Sequence, residues 1–321
     1  MNFYPLGDNA ARQLIDAITV FDEYRRVQQL ARRFAGGMYW KHQKGGEYEY
    51  LVKTLPDNRQ QRIGPRSAET ELAYASFTSG KAETEARLRT LKAAFIDAER
   101  TNKALKVGRV PNMVVDVMQA LEDAGLGEHF TVVGTHALYA YETAAGVRIV
   151  SDALATQDVD LLWDARKRVR FVTDLDRVDA SVLKVLQRAD KSFIRHTEKA
   201  ETAINAKGFE VDFLRRQSEG DDPHPFRFSS DEEDLWPIQA VRAPVLTGAP
   251  RFEHAVISTT GRMALMRTVA PETFIEFKLW MAEHALDRPE MKRRRDRRQA
   301  TIVQELLDAR LLVDLVADSK G

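Results

Sequence analysis

The chain contains no cysteine in 321 residues. That absence excludes disulfide bonds, thiolate zinc sites, iron–sulfur clusters and a cysteine nucleophile. Positive and negative side chains number 48 each, so no net charge draws the whole chain to nucleic acid or to an anionic membrane. No apolar run reaches the length of a membrane span, and the first eight residues lack the basic and apolar segments of a secretion signal. We therefore expect a cytoplasmic protein that does not associate with membranes.

The first hundred residues combine helical and strand-like patterns. Apolar residues recur at helical spacing over residues 8–33, and strand-like runs at 38–42 and 47–53 are separated by a Gly-rich segment that predicts a hairpin turn. Residues 62–67 predict another turn, followed by a long polar helix that runs towards Leu105. The aromatic residues of the hairpin form either a base-stacking platform or, more commonly, cross-strand packing: Tyr39, Trp40, Tyr48 and Tyr50.

Residues 130–163 read as a strand, a tight turn, a helix, a loop and a second strand. The β-branched and aromatic run 130–133 stops at Gly134-Thr135. Gly134 lets the backbone turn closely, and we expect Thr135 to cap the next helix, whose first N–H groups stay free for an anion such as phosphate. In the second strand, side chains repeat every two residues, which places Asp158 and Asp160 on one face.

Two carboxylates at this spacing are by themselves weak evidence for a functional site, since a chain with 48 acidic residues contains several such pairs by chance. The context adds a Gly-Thr turn upstream and a third carboxylate, Asp212, at the centre of the apolar strand 209–214. Three carboxylates at one end of a small sheet would hold one or two Mg²⁺ or Mn²⁺ ions, which prefer oxygen ligands. The alternative is that Asp158, Asp160 and Asp212 are unrelated surface residues of a structural protein.

Together, Gly134-Thr135, Asp158-x-Asp160 and Asp212 resemble the nucleotidyltransferase superfamily of the DNA polymerase β type, and in detail the bacterial nucleotidyltransferase-like proteins. The resemblance implies an α+β fold in which a mixed sheet is flanked by helices. It also implies that the glycine turn touches a nucleoside triphosphate and that the carboxylates bind metal. The gap before the first carboxylate is longer than is usual in the superfamily, so we expect residues 143–157 to form an inserted loop.

Three regions are expected along the chain. The turn-forming residues 108–111 mark the best boundary, which gives an N-terminal helical region with a β-hairpin over 1–110 and a nucleotidyltransferase core over 111–270. A C-terminal helical region follows over 271–321. Within the core, the polar segment 215–234 contains two prolines and an acidic run, and we expect it to be an exposed loop that covers the substrate.

Lys278 interrupts the apolar stripe of a helix that begins at Pro271. A lysine that faces inwards there can reach a bound triphosphate, and residues 271–278 are similar to the phosphate-contacting helix of the family. The alternative is a lysine at the edge of the stripe whose amine extends to solvent. In the next helix, Lys292, Asp296 and Gln299 continue an apolar stripe, so we expect all three to face inwards.

The same helix carries five arginines between positions 293 and 298. Such a run is usually a solvated face, but beside a nucleotide site it can hold an RNA backbone. The residues that we assign to contact with an acceptor or nucleic acid are Arg294, Arg295 and Arg298.

The predicted activity is metal-dependent transfer of a nucleoside monophosphate from a nucleoside triphosphate to an acceptor hydroxyl. Gly134 and Thr135 would bind phosphates, and Lys278 would neutralise charge on the leaving group. We expect His136 to be a helix residue and not a base. RNA 3′ ends, protein hydroxyls and small molecules all remain open as acceptors; similar bacterial toxins of toxin–antitoxin pairs modify tRNA, which favours tRNA. The alternative is a non-catalytic nucleotide- or RNA-binding module on the same fold.

Overall fold

The computed structural model describes residues 2–42, 48–55, 58–154, 156–220, 222–240, 242–285 and 288–312. The helices are α1 (Asp8–Arg33), α2 (Ala68–Ala104), α3 (Asn112–Asp123), α4 (Ala137–Ala144), α5 (Arg168–Val178), α6 (Val182–Ala189), α7 (Ala243–Gly248), α8 (Pro271–His284) and α9 (Glu290–Asp308). The strands are β1 (Phe3–Pro5), β2 (Gly37–His42), β3 (Glu49–Thr54), β4 (Gln60–Pro65), β5 (Phe130–Val133), β6 (Val147–Ile149), β7 (Asp158–Trp163), β8 (Ile194–Arg195), β9 (Thr202–Ile204), β10 (Glu210–Arg215), β11 (Ile238–Gln239), β12 (Arg251–Ile257) and β13 (Met263–Val269). Within these ranges, no helix combines the length and the apolar composition needed to cross a lipid bilayer.

The chain divides into two compact units. Residues 15–101 form the smaller unit, and residues 1–14 together with 102–321 form the larger one. The domain boundaries that we expect at 110 and 270 stay predictions.

In the smaller unit, β2, β3 and β4 form an antiparallel sheet. The strands β2 and β3 are the predicted hairpin, whose turn at 43–46 lies outside the described residues. The turn predicted at 62–67 is wrong over most of its length, because β4 runs from Gln60 to Pro65 and pairs with β3. Proline is tolerated at the end of this strand because the strand lies at the edge of the sheet.

Arginine side chains cover two of the hairpin's aromatic residues. The guanidinium of Arg62 lies 4.2 Å from the ring centroid of Tyr50, and that of Arg66 lies 5.0 Å from the ring of Trp40. Such cation–π contacts occupy ring faces that a nucleobase would need. They favour the packing interpretation of these aromatic residues.

The larger unit is built on a six-stranded sheet. Its order is β5-β7-β10-β9-β8, and β11 pairs with the end of β10. The strands β7 and β10 are parallel, whereas β5–β7, β10–β9 and β9–β8 are antiparallel. This mixed sheet with flanking helices confirms the predicted α+β fold. On the face opposite the carboxylates, the alternate residues of β7 and β10 are fully buried: Val159, Leu161, Val211 and Phe213.

A second hairpin, β12–β13, supports the start of the site. The hydroxyl of Thr268 in β13 donates to the carbonyl oxygen of Val132 in β5 at 2.8 Å, and Tyr141 Oη in α4 donates to the carbonyl oxygen of Val269 at 2.7 Å. Both donors are buried, so each bond fixes its element firmly. The hairpin therefore fixes the strand and the helix that flank the Gly134 turn.

The segment predicted as an inserted loop, 143–157, is partly ordered into regular elements. The helix α4 extends to Ala144, β6 pairs antiparallel with β1, and a 3-10 turn spans Ser151–Ala153. The extra length therefore accommodates one short strand and one turn before β7.

The prediction of an exposed loop at 215–234 is wrong for the residues that lie against the core, and whether the segment covers a substrate stays a prediction. Phe226 stacks on Trp163 with 4.7 Å between ring centroids, and Phe228 is buried among aromatic residues of the core. Asp234 is fully buried and accepts hydrogen bonds from the backbone N–H groups of Val182 and Leu183 at the start of α6. The aromatic side chains and this helix cap hold the segment against the core.

Candidate active site

Two neighbouring parallel strands bring the predicted carboxylates together. In the register of β7 and β10, Asp160 lies opposite Asp212, and Asp158 lies opposite Glu210. The side chains of Asp158, Asp160 and Asp212 leave the sheet on the same face, and one oxygen atom from each lies within 4.8 Å of the other two. We call this group the carboxylate triad.

Two threonines hydrogen bond to the carboxylate triad. The hydroxyl of Thr156 donates to Asp158 Oδ1, and that of Thr202 donates to Asp212 Oδ1 at 2.6 Å. Sequence reasoning missed both. Thr156 stands two residues before Asp158 and was detectable as a local hydroxyl–carboxylate pair, whereas Thr202 reaches Asp212 only through the pairing of β9 with β10.

Within the described ranges, no cationic side chain is in direct contact with the carboxylate triad. Over the described residues, none of its three members forms an ion pair with a lysine, arginine or histidine. Burial, reinforced by the neighbouring charges of Asp158 and Asp212, raises the pKa of Asp160 to about 7. Such a shift means that the ionised form of Asp160 is disfavoured where it stands.

The other two acids respond differently to the same surroundings. Burial raises the pKa of Asp212, and the charges of Glu210 and Asp158 add to that effect. Burial also opposes ionisation of Asp158, but the hydrogen bond from Thr156 and nearby positive charge outweigh it, so the pKa of Asp158 is lowered. Asp158 is therefore the member most readily ionised, and Asp160 the member most in need of a cation.

The Gly134 turn lies directly against the carboxylate triad. Val133, the last residue of β5, pairs with Asp160, and Gly134 then adopts a φ of +71°. A Cβ atom on Gly134 would lie 2.3 Å from Asp160 Oδ2. Both the backbone conformation and the close approach therefore require glycine.

Thr135 does not cap the following helix, and that prediction is wrong. A 3-10 turn at Gly134–His136 precedes α4, so Thr135 lies inside the first turn instead of before it. Its hydroxyl oxygen accepts a hydrogen bond from Gln299 Nε2 at 3.1 Å. Whether Gly134 and Thr135 bind phosphate stays a prediction.

His136 completes the turn as a buried residue. Burial lowers its pKa to about 4, against the opposing influence of Asp158, and its Nε2 atom has no hydrogen-bond partner in the described chain. A histidine with this pKa is neutral at pH 7 and a weak proton acceptor. When His136 is protonated its charge lowers the pKa of Asp158, but at pH 7 the ring is neutral.

Lys278 faces the interior, as predicted, and does not extend to solvent. Its Nζ atom is buried and donates to Asp296 Oδ1 at 2.9 Å, while Arg288 Nε lies 2.8 Å from Asp296 Oδ2. Burial lowers the pKa of Lys278, whereas the charges of Asp296 and Asp160 oppose that shift. The lysine therefore places positive charge near Asp160 from a fixed position. Its contact with a triphosphate stays a prediction.

The predicted inward stripe of α9 is correct for two residues and wrong for one. Asp296 and Gln299 are fully buried, but Lys292 is exposed, because it lies on the first turn, where the helix extends beyond the core. Lys292 still lies near the carboxylate triad, since it helps to lower the pKa of Asp158 after the larger effects of burial and Thr156.

The arginine run of α9 divides into two groups. Arg293 Nε and Arg297 Nη2 donate to the carbonyl oxygen of Ala282, at 2.8 and 3.3 Å, and so attach α9 to the end of α8. The residues assigned to acceptor contact instead line a groove of about 420 Å³. That groove, the basic groove, is formed by Asp152, Met291, Lys292, Arg294, Arg295 and Arg298.

A second group of potential metal ligands lies elsewhere in the larger unit. Single ligand atoms of Glu128, His129 and Asp174 also lie within 4.8 Å of one another. We call this group the histidine cluster. Unlike the carboxylate triad, it contains ion pairs: Arg177 Nη1 lies 3.2 Å from Asp174, and Arg170 pairs with both acids.

Comparison with known proteins agrees with the site. A family model described as nucleotidyltransferase matches residues 112–320, which include the Gly134 turn, the carboxylate triad, Lys278 and all of α9. No significant match was found among curated proteins or among solved structures. The match covers well over half of the chain and confirms the resemblance seen in the sequence. The chain belongs to the nucleotidyltransferase family.

Proposed function

We propose that this protein transfers a nucleoside monophosphate from a nucleoside triphosphate to an acceptor hydroxyl in a reaction that depends on a divalent metal ion. One observation carries the proposal. Three carboxylates lie within 4.8 Å of one another on one face of a sheet, and no described cation contacts them. Like charges at this distance are stable together only if they are protonated or hold a cation.

The residues present fit Mg²⁺ or Mn²⁺. The donors are all carboxylate oxygens, which these hard ions prefer, and Asp160 has a raised pKa that a bound cation would lower again. Asp158, Asp160 and Asp212 would hold the ion. When bound, it would polarise the phosphoryl oxygens and stabilise the charge that develops on them.

The protein side chains have separate roles in this proposal. Gly134 and Thr135 bind phosphate oxygens through backbone N–H groups and the Thr135 hydroxyl. Lys278 supplies fixed positive charge near Asp160, which favours the pyrophosphate leaving group. Asp212 accepts the proton of the acceptor hydroxyl while the acceptor oxygen bonds to the α-phosphorus and the bond to pyrophosphate breaks.

We further propose that the acceptor is an RNA, with tRNA as the first candidate, and that its backbone lies in the basic groove. Four side chains of the groove are cationic, and its one acid, Asp152, is already paired with Arg298. Lys292 belongs both to the groove and to the surroundings of Asp158, which places the groove beside the carboxylate triad. Phosphodiester groups suit such a surface.

Transfer can be tested with each of the four nucleoside triphosphates, labelled at the α-phosphate, and total tRNA, with and without Mg²⁺ or Mn²⁺. Label should enter RNA only with metal, and not with the Asp158→Asn/Asp160→Asn variant. Asp176→Asn, at an exposed position on α5, is the matched control and should behave as the wild type. Metal-dependent triphosphate binding without transfer to any acceptor would instead indicate a non-catalytic nucleotide-binding module.

A further inference from the structure

Gln299 is a fully buried amide on α9, one helical turn after Asp296. Its Nε2 atom lies 2.7 Å from the carbonyl oxygen of Ala153 and 3.1 Å from Thr135 Oγ1. Its Oε1 atom has no hydrogen-bond partner in the described chain. Gln299 therefore joins α9 to the residue that follows the Gly134 turn.

The orientation of this amide follows from its partners. A backbone carbonyl oxygen can only accept a hydrogen bond, so the nitrogen of Gln299, and not its oxygen, must face Ala153. The same nitrogen carries a second hydrogen, and that hydrogen is directed to Thr135 Oγ1. Thr135 is therefore the acceptor in this hydrogen bond.

That assignment fixes what the Thr135 hydroxyl can do. Gln299 occupies a lone pair of the oxygen, so the hydrogen of the hydroxyl must point elsewhere. The described residues offer it no acceptor within hydrogen-bond distance, and Thr135 is buried next to Gly134, which touches Asp160. A buried donor without an acceptor is costly, and an ionised phosphate oxygen is a pure acceptor that would satisfy it.

We propose that Gln299 is a positioning residue for the triphosphate. It holds the Thr135 hydroxyl as a hydrogen-bond donor to a phosphate oxygen of the bound nucleotide, and it acts on the nucleotide only through Thr135. This inference rests on the proposed nucleotidyl transfer. A structural role alone would need only the hydrogen bond to Ala153, which ties α9 to the 3-10 turn at Ser151–Ala153.

A double-mutant cycle on ligand binding separates these roles. Inorganic triphosphate and the four α,β-methylene nucleoside triphosphates are titrated with Mg²⁺ into the wild type, Gln299→Met, Thr135→Val and the double variant. Each single substitution should weaken binding about tenfold, as expected for one hydrogen bond to a charged group. The double variant should be no weaker than Thr135→Val, because Gln299 has no separate route to the ligand.

Two further variants sharpen the test. Gln299→Glu replaces the donor with an acceptor that would draw the Thr135 hydrogen to itself, so it should weaken binding more than Gln299→Met. Thr135→Ser keeps the hydroxyl and should bind within about twofold of the wild type. Gln304→Met is the matched control, since Gln304 is exposed on the same helix and bonds only to Asp308, and it should bind as the wild type does.

The outcomes distinguish this inference from the proposed function. Suppose that the wild type binds triphosphate only with metal. If the losses then add in the double variant, or if Gln299→Met binds as tightly as the wild type, the proposed role of Gln299 is wrong but the proposed function is not. A wild type that binds no triphosphate, or binds it equally well after Asp158→Asn/Asp160→Asn, would overturn both. If Gln299→Met does not fold, Gln299→Ala, which also removes the donor without adding a charge, is combined with Thr135→Val in the same cycle.

Discussion

The carboxylate triad and the histidine cluster are equally compact, yet their charges are arranged in opposite ways. In each, one potential ligand atom per residue lies within 4.8 Å of the other two. In the histidine cluster, His129 Nε2 lies 2.9 Å from Asp174 Oδ2, and Arg170 and Arg177 neutralise the acids. Among the described residues, the side-chain hydrogen bonds to the carboxylate triad come from two threonine hydroxyls.

This difference in charge pairing shows that potential ligand atoms can lie close together without forming a metal site. A cluster whose acids are already paired with arginine gains little from a cation, because the cation must displace those partners. A cluster of unpaired acids is destabilised by its own repulsion and gains much from a cation. We therefore propose metal binding at the carboxylate triad and a structural role for the histidine cluster.

The largest effect is expected from removing charge at the carboxylate triad. Asp158→Asn/Asp160→Asn should lower kcat/KM for nucleotidyl transfer by more than about 1,000-fold, because charge stabilisation at the reacting phosphate is lost. The stability of this variant in metal-free buffer should not fall, since the substitution relieves repulsion. Steady-state kinetics and thermal unfolding measure the two effects. A variant that kept its activity but lost stability would mean that the carboxylate triad has a structural role and not a catalytic one.

A smaller loss is expected from Gly134→Ala. The added Cβ atom would lie 2.3 Å from Asp160 Oδ2, and the φ of +71° strains any residue other than glycine. Displacement of Asp160 should lower metal affinity by about 100-fold in a Mn²⁺ titration. Gly146→Ala is the control, because Gly146 has a φ of +63° but no atom near its missing Cβ. It should show the backbone strain without the loss of metal binding.

Asp160 should also make stability depend on pH. Its folded pKa of about 7 lies above the ordinary value of 3.8 for an aspartate, so the folded state binds the proton more tightly than the unfolded state does. The resulting stabilisation is complete below pH 3.8 and is lost as the pH rises to 7, by on the order of 2–4 kcal/mol in metal-free buffer. Saturating Mg²⁺ or the Asp160→Asn substitution should remove this component from denaturation curves measured across that range.

The smallest effect is expected at the histidine cluster. Asp174→Asn should weaken the pairing with His129 and the two arginines and lower the free energy of unfolding by about 1–3 kcal/mol. Metal affinity and nucleotidyl transfer should match the wild type. A measurable loss of Mn²⁺ affinity in this variant would mean that the histidine cluster also binds metal.

Local patterns predicted the elements that carry the carboxylate triad. The strands predicted at 130–133 and 158–163 have those bounds in the structure, and the strand of Asp212, predicted at 209–214, lies at Glu210–Arg215. The same alternation placed Asp158 and Asp160 on one face, because strand geometry depends only on sequence position. The nucleotidyltransferase resemblance was available from the same short motifs, although their placement in space was not.

The rest depended on contacts between distant residues. Thr135 was predicted as a helix cap, but its hydroxyl is bound by Gln299, 164 positions away in the chain. Residues 215–234 have a polar composition typical of loops, yet Phe226 stacks on Trp163 and keeps the segment against the core. The start of α9 extends past the core and exposes Lys292, which periodicity alone does not show. No local pattern contains such information.

The most direct test is a Mn²⁺ titration, followed by electron paramagnetic resonance, of the wild type, Asp160→Asn and Asp174→Asn. We predict a site in the wild type that Asp160→Asn abolishes and Asp174→Asn leaves intact, and affinity that rises as the pH increases through about 7, where Asp160 loses its proton. Binding that survives Asp160→Asn, or that disappears with Asp174→Asn, would contradict the assignment of the metal to the carboxylate triad.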